Sequence, residues 1–251
     1  MDAAVEFKYA AALVVLLAGI AGGAFANRLT RWQSSHWVAS LANTFAGGVF
    51  LGAALMHMLP DARENFAAYF PDMDYPHYTL VAAISFFLVL LLDKGVKAAR
   101  PDSGAVYPYL LALVLAIHSV ITGIALGLER HIVAAAAILF AILAHKTTAA
   151  MALGISLNRE HIPERRSRNL MWMFYVTTPI GIVFGTWWSG LLQGSSGAIA
   201  EGIFDALAAG TFFYIAVVDI LVEEFKGPRL GWLFLSAVLG FSIMALVAVW
   251  T

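Results

Sequence analysis

Two apolar stretches near the middle of the chain carry polar side chains that could do chemistry. Stretch 110–128 carries His118, Ser119 and Thr122, and stretch 132–157 carries His145 and Lys146. An imidazole within an apolar stretch of membrane-spanning length is costly unless it faces a cavity or a partner. Because imidazole nitrogen is a good ligand for zinc, copper, iron and nickel, the two histidines predict a metal site. The simpler alternative is that each ring only hydrogen-bonds a neighbouring hydroxyl or carbonyl.

Helical spacing decides which of these side chains share a face. His118 and Thr122 are four residues apart and lie on one face, with Ser119 one position round the helix. His145 and Ala149 have the same spacing. Two mid-span histidines on neighbouring antiparallel helices can therefore meet across a helix bundle.

Two other apolar stretches carry polar residues at helical spacing. Steps of three and four residues connect Asn43, Gly47, Phe50, Ala54, His57 and Asp61. A later stretch contributes Thr211, Tyr214 and Asp219. The first series predicts a stripe of polar groups from mid-membrane to the outer mouth. Asp219 falls in the inner half of its span.

The composition places the chain in a membrane. Of its 251 residues, 61% are hydrophobic and 12% are charged, whereas soluble domains carry roughly 25% charged residues. The absence of cysteine excludes disulfides and thiolate metal sites. A net charge of −1 without a basic patch gives no indication of nucleic-acid binding. We therefore predict a multi-pass integral protein of the cell (inner or plasma) membrane.

Eight stretches are long enough to span, since a helix needs about 20 mostly apolar residues to cross a bilayer. They are 9–26, 36–59, 78–92, 107–128, 132–157, 170–192, 203–222 and 230–250. None alternates in the manner of a barrel strand, so all are predicted to be helices. The third is short and is expected to recruit Pro76 or Lys94. We predict an all-α membrane protein with one transmembrane domain over residues 1–251, whose first span is retained because residues 1–8 lack a basic leader.

Basic residues predict the orientation, because they favour the cytoplasmic side. The loops after helices 1, 3, 5 and 7 hold Arg28, Arg31, Lys94, Lys97, Arg100, Arg159, Arg165, Arg166, Arg168, Lys226 and Arg229. The opposite side holds Lys8, Arg63 and Arg130. Eleven basic residues on one side against three on the other predict that both termini lie outside the cytoplasm.

Two further patterns concern packing and the outer surface. Small-residue pairs four apart, which let helix backbones approach closely in lipid, are Gly19/Gly23, Gly48/Gly52, Gly123/Gly127 and Gly181/Gly185. The predicted outer loop 60–77 is acidic, with Asp61, Glu64, Asp72 and Asp74. It is either a solvated loop or a weak cation-gathering mouth.

Five segments of the sequence resemble one transporter family. They read FAGGVFLGAALMHMLPDA, HSVITGIALGL, HKTTAAMALGISL, VTTPIGIVFG and LAAGTFFYIAVVDILVEEF. They are similar to the ZIP (Zrt-, Irt-like protein) family of divalent metal transporters, especially the branch with HS in helix 4 and HK in helix 5. The resemblance implies transport of divalent metal, zinc first and iron next, toward the cytoplasm. It also implies elevator-like movement of helices 1, 4, 5 and 6 against helices 2, 3, 7 and 8, and relatives that are often dimers.

The resemblance also implies a set of site residues between helices 4 and 5. The metal-binding positions are His118, His145, His57, Ser119 and Thr122. Gating or charged positions at the site are Lys146, Phe50 and Asp61, with Asp61 near the entrance. To these we add Asp219 from the residue pattern of helix 7, as a charged group that could pair with Lys146. The chain departs from many relatives in carrying no carboxylate at the positions of Thr122 and Ala149.

Lys146 stands where two-metal relatives hold a carboxylate. A lysine cation cannot ligate a metal, and it repels a second metal at close range. We therefore predict one metal site at most, dominated by histidine. Two other states of Lys146 stay open at this point: a neutral amine, or an ion pair with a carboxylate such as Asp219.

Other functions remain as alternatives. A ZIP-like protein with altered or no metal cargo is one, and an intramembrane zinc hydrolase is another. The hydrolase would need three protein ligands and a carboxylate, yet no H-x-x-x-H pair exists and helices 4 and 5 lack a central carboxylate. We thus predict a protein that is not an enzyme, with no catalytic residue and no cofactor, whose cargo is Zn²⁺ or Fe²⁺. Coupling to protons is a further hypothesis, because histidine titrates near neutral pH.

Overall fold

Eight membrane-length helices make up the structure, a computed structural model that describes residues 3–31, 36–71, 75–99, 106–129, 131–188, 195–227 and 229–249. Over these ranges the chain is helical and contains no strand. Six of the eight are uninterrupted: α1 (Ala3–Arg31), α3 (His77–Ala99), α4 (Val106–Leu128), α5 (Ile132–Arg159), α6 (Glu164–Trp188) and α8 (Leu230–Val247). The prediction of an all-α bundle with eight transmembrane helices is confirmed.

The other two helices, α2 and α7, each contain a π-helical turn. α2 consists of His36–Ala53, the π turn Ala54–Met58 and Leu59–Tyr69. α7 consists of Ser195–Tyr214, the π turn Ile215–Leu221 and Val222–Glu224. A π turn changes the register of the side chains that follow it and is frequent at functional sites. His57 lies in the first turn and Asp219 in the second, so the regular stripe predicted for α2 is offset from Ala54 onward.

The prediction of an outer loop over residues 60–77 is wrong for its first half, because α2 continues through Pro60 to Tyr69. Ala62 and Phe66 are buried, and Gly202 of α7 brings its backbone close to both. Burial against α7 therefore keeps this polar segment helical. The third helix is extended as expected and includes Lys94.

Several residues used in the sequence predictions lie outside the described residues. They are Asp72, Asp74, Arg100, Arg130, Leu192 and Trp250.

The helices pack into two groups. α4 packs along α6, and α1 packs along both α5 and α6; we call α1, α4, α5 and α6 the histidine group. α2 packs along α8 and α7, and α3 packs along α7; we call α2, α3, α7 and α8 the flanking group. The groups meet mainly where α2 contacts α5 and where α4 contacts α7. This division coincides with the one that the family resemblance implies, while the movement itself stays a prediction.

The predicted glycine pairs lie at helix contacts, which confirms their packing role. On α4, a Cβ at Gly123 would clash with the carbonyl of Thr178, and one at Gly127 with the carbonyl of Ile182, both on α6. Gly181 and Gly185 of α6 face the carbonyls of Val120 and Ile124 in the same way. Gly19 and Gly23 of α1 lie against Tyr175, and Gly48 and Gly52 of α2 lie against α8. The α4–α6 contact is therefore a close backbone approach that fixes the helix carrying His118.

Substituting Gly123 with alanine is expected to destabilise the histidine group. The added methyl would overlap backbone atoms of α6, which cannot rotate away, and overpacking of this kind costs about 1–3 kcal/mol. Thermal unfolding of the purified protein in detergent measures the effect. Gly95→Ala is the control, because a Cβ there meets nothing within 4 Å. An equal shift in both variants would show that the close α4–α6 contact is unimportant for stability.

Candidate metal centre

The two predicted histidines meet between α4 and α5. His118 and His145 are 4% and 2% exposed, and their Nε2 atoms are 3.5 Å apart. Zinc–imidazole bonds of about 2.0–2.1 Å at a tetrahedral angle would separate two ligand nitrogens by about 3.3 Å. The observed spacing is thus close to the one a shared ion requires.

The protein environment does not satisfy these rings by itself. Both Nδ1 atoms are buried without a hydrogen-bond partner, and the carbonyl of Ala141 interacts with the His145 ring without hydrogen-bonding geometry at Nδ1. Neither Nδ1 atom has the hydroxyl or carbonyl partner that the simpler alternative predicted. An unsatisfied buried polar atom costs about 1–3 kcal/mol, so the pair is poorly explained as a packing feature.

An aromatic wall from the flanking group covers the pair. The ring of Phe212 on α7 lies 4.8 Å from the His118 ring and 5.0 Å from the Phe50 ring of α2. Both phenylalanines are fully buried. Phe50 was predicted at the site, and Phe212 was not, because a phenylalanine in an apolar helix is ordinarily a core residue. This wall packs the flanking group directly against the His118 ring.

Lys146 points away from the histidines into a cage of oxygen atoms. Its Nζ donates to Ser119 Oγ at 3.1 Å, to the Phe174 carbonyl at 2.9 Å and to Thr178 Oγ1 at 3.0 Å. The same atom lies 3.6 Å from the centroid of the Phe174 ring. Three acceptors match the three N–H donors of an ammonium ion, and the aromatic face also favours a cation. None of these three partners is a carboxylate, so the predicted pairing with Asp219 is not seen among them, and the charge of Lys146 stays a prediction.

The two hydroxyls predicted as ligands have partners within the protein. Ser119 Oγ accepts from Lys146. Thr122 Oγ1 donates to the carbonyls of His118 at 3.1 Å and Ser119 at 3.3 Å. Their ligand role stays a prediction.

His57 and Asp61 form a pair on α2, and His57 also interacts electrostatically with His118 and His145. His57 Nδ1 lies 3.0 Å from Asp61 Oδ2. No cluster of three or more His, Asp or Glu side chains suited to a metal ion occurs among the described residues. His57 is thus not brought into a three-residue cluster with His118 and His145 in this conformation, and its role as a third ligand stays a prediction.

Two carboxylates near Asp61 were missing from the sequence prediction. Glu201 and Asp205 lie one turn apart on α7, and both interact electrostatically with Asp61. The predicted seventh span began at residue 203, which excluded Glu201 and separated the two. Their four-residue spacing was the pattern that could have revealed a shared acidic face. Together with Asp61 they make the end of the bundle where α2 ends and α7 begins acidic.

Asp219 lies far from this acidic end. It lines a cavity of about 150 Å³ with Asn43, Ser156 and Arg159. Asn43 donates its Nδ2 to Glu224 Oε1 at 2.8 Å, and the buried Ser156 Oγ has no partner in the described structure. Polar groups of α2, α5 and α7 thus surround a cavity at the end of the bundle where α5 and α7 terminate.

A bundle of eight membrane-length helices with a buried histidine pair between α4 and α5 favours a transporter for metal ions. The chain belongs to the ZIP zinc transporter family: the model described as "ZIP Zinc transporter" matches residues 5–104 and 97–248. The predicted family is thereby confirmed, as is the prediction of a multi-pass membrane protein that transports divalent metal and is not an enzyme. The hydrolase alternative is excluded on the same grounds.

Curated relatives cover most of the chain. It is 27% identical to mouse "Zinc transporter ZIP2", over 86% of each protein. It is 30% identical to bovine "Zinc transporter ZIP1", over 74% of this chain and 70% of that protein. It is also 25% identical to the Arabidopsis thaliana "Fe(2+) transport protein 1", over 98% of this chain and 86% of that protein. Relatives named for two different metals therefore each match more than two thirds of the chain.

Proposed function

We propose that the protein moves zinc, with iron(II) as a second cargo, toward the cytoplasm through a single-metal site formed by His118 and His145. The observation that carries this proposal is the 3.5 Å separation of the two buried Nε2 atoms. Waters or the nearby hydroxyls would complete the coordination. The relatives named as zinc and iron(II) transporters support the choice of cargo.

The charge of the site supports a weakly bound cargo. Neutral imidazoles give no charge compensation, and Thr122 and Ala149 supply no carboxylate where many relatives have one. An uncompensated dication in a medium of low dielectric is less stable than one paired with carboxylates. A transporter gains from this, because cargo that binds too tightly is not released.

The oxygen cage around Lys146 supports a single metal. Hydroxyl and carbonyl oxygens are cation ligands, and the ammonium group already fills the position that they define. A second metal would have to displace this cation. We therefore propose that Lys146 replaces the second metal of two-metal relatives.

Uptake of metal into proteoliposomes tests the proposed function. Zinc should enter vesicles that contain the protein and not protein-free vesicles. Iron(II) should compete, whereas magnesium and calcium should not, since both prefer a shell of oxygen ligands. If no divalent metal moves, the alternative of a ZIP-like protein without metal cargo gains support.

Introducing an aspartate at Thr122 is expected to tighten zinc binding and slow its release. A carboxylate one turn from His118 would compensate the dication, and we expect at least about a tenfold gain in affinity, equal to about 1.4 kcal/mol. Equilibrium binding and initial uptake rates measure the two effects. Thr30→Asp is a matched control, because Thr30 also donates to carbonyls three and four residues earlier but lies at the end of α1. Unchanged affinity in Thr122→Asp would place the cargo away from this face of α4.

A further inference from the structure

An ion pair connects the two helix groups at one end of the bundle. Arg159, the last residue of α5, contacts Glu224 Oε1 at the end of α7. A second guanidinium nitrogen lies 3.5 Å from Ser40 Oγ on α2, and Asn43 of α2 donates to the same Glu224 oxygen. One side chain of the histidine group is thus held by side chains from two helices of the flanking group.

The ion pair lies at the end of a stripe that begins at His145. Ala152, Ser156 and Arg159 follow His145 by 7, 11 and 14 residues, which places all four on one face of α5. At about 1.5 Å per residue, Arg159 lies roughly 21 Å along the helix from His145. The cavity of about 150 Å³ is lined by the three later residues of this stripe. The same face of α5 that carries His145 therefore borders the cavity and ends at the ion pair.

The two partners differ in exposure in a way that suits a closure. Glu224 is buried, with 6% of its side chain exposed, whereas Arg159 is 42% exposed. A buried carboxylate needs its partners, so the histidine group is held against the flanking group while Arg159 stays in place. The nearby Lys226–Glu223 pair differs in exposure and in the elements that it joins. Both of its side chains are exposed, and they are only three residues apart in the chain.

We propose that the Arg159–Glu224 pair is a latch that holds α5 against α2 and α7 beside the cavity, which is already partly open to the aqueous phase at this end of the bundle. Its release widens the cavity and uncovers its inner wall at Ala152, and this is required before cargo leaves. While closed, the guanidinium repels an approaching metal ion and occupies the carboxylate that would attract it. The assumption that a metal ion is the cargo rests on the proposed function, whereas the latch itself rests on the contacts of α2, α5 and α7.

A single introduced cysteine can report the opening, because the chain contains none. Ala152 lines the cavity and is 2% exposed, so Ala152→Cys should react slowly with a cationic methanethiosulfonate reagent in nanodiscs. Adding Glu224→Gln, which preserves an acceptor for Asn43, should raise the reaction rate about tenfold or more. Adding Arg159→Gln should do the same. Lys226→Gln, which breaks the exposed pair, should leave the rate within about twofold.

The outcomes separate the latch from the transport proposal. Unchanged labelling in both the Glu224 and the Arg159 variants would overturn the latch, as would an equal increase in Lys226→Gln. Size-exclusion profiles and thermal unfolding identify a variant that has lost its fold, in which case the other variant decides. Zinc uptake is measured in parallel. If the parent shows no flux while labelling still depends on the ion pair, the proposed cargo is wrong and the latch stands.

Discussion

Replacing either central histidine with alanine is expected to reduce zinc uptake by about a hundredfold or more. His118 and His145 are the two imidazoles whose Nε2 atoms face one another at 3.5 Å, so each supplies half of the protein ligands in the proposed site. Losing even an outer partner of a metal ligand typically costs 10–100-fold in affinity or activity. Loss of a ligand itself should cost at least as much. The double variant should take up zinc about as slowly as either single variant, because a single remaining imidazole already cannot hold the ion.

Uptake into proteoliposomes and equilibrium zinc binding measure these variants together. His161→Ala is the control, since His161 is exposed on the short connection between α5 and α6. It removes an imidazole without touching the central pair. Wild-type flux in both His118→Ala and His145→Ala would show that the cargo does not use this pair.

Changing Lys146 to glutamate is expected to raise the zinc bound per chain from one ion to two. The carboxylate would join Ser119 Oγ, Thr178 Oγ1 and the Phe174 carbonyl, which now surround the ammonium group. Zinc accepts carboxylate oxygen as a ligand. Removing the cation also removes its repulsion of the ion between the histidines. As a reference value, a unit charge and a dication at a separation of about 8 Å would repel by roughly 4 kcal/mol at an effective dielectric constant of about 20.

Elemental analysis of the dialysed protein gives the stoichiometry, and competition with a chelator gives the affinity. Removing even a third of this repulsion corresponds to about a tenfold gain in zinc affinity at the histidine pair. Lys226→Glu makes the same change of charge on an exposed side chain and should alter neither quantity. A stoichiometry of one in Lys146→Glu, with parental affinity, would contradict the view that this lysine occupies a cation position.

The helices and the central pair were predictable because their patterns are local. Apolar length identified all eight spans, and one imidazole in the middle of each of two adjacent spans indicated where they would meet. Small residues four apart likewise identified the α4–α6 contact. Each of these patterns is written in a single segment of about 20 residues and needs no knowledge of the partner helix.

The features that were not predicted depend on contacts between distant segments. The helix from Pro60 to Tyr69 has too little apolar character to be recognised alone, and it forms because Ala62 and Phe66 are buried against α7. The π turns at Ala54–Met58 and Ile215–Leu221 insert a local change of register that leaves no trace in composition.

The partners of Lys146 illustrate the same limit within the site. Two of its three acceptors belong to Phe174 and Thr178, which are 28 and 32 residues away on α6. Nothing in the sequence distinguishes these positions from others on that helix. The lysine could be identified as unusual, but its oxygen cage required the packed structure.

Anomalous diffraction at the zinc absorption edge, from crystals of the unmodified protein grown with zinc, tests the central claim most directly. We expect one peak per chain, lying between His118 and His145 at about 2.0–2.1 Å from each Nε2 atom. The oxygen cage of Lys146 should show no peak. Two zinc ions at the centre, or a single ion bound away from both histidines, would contradict the account.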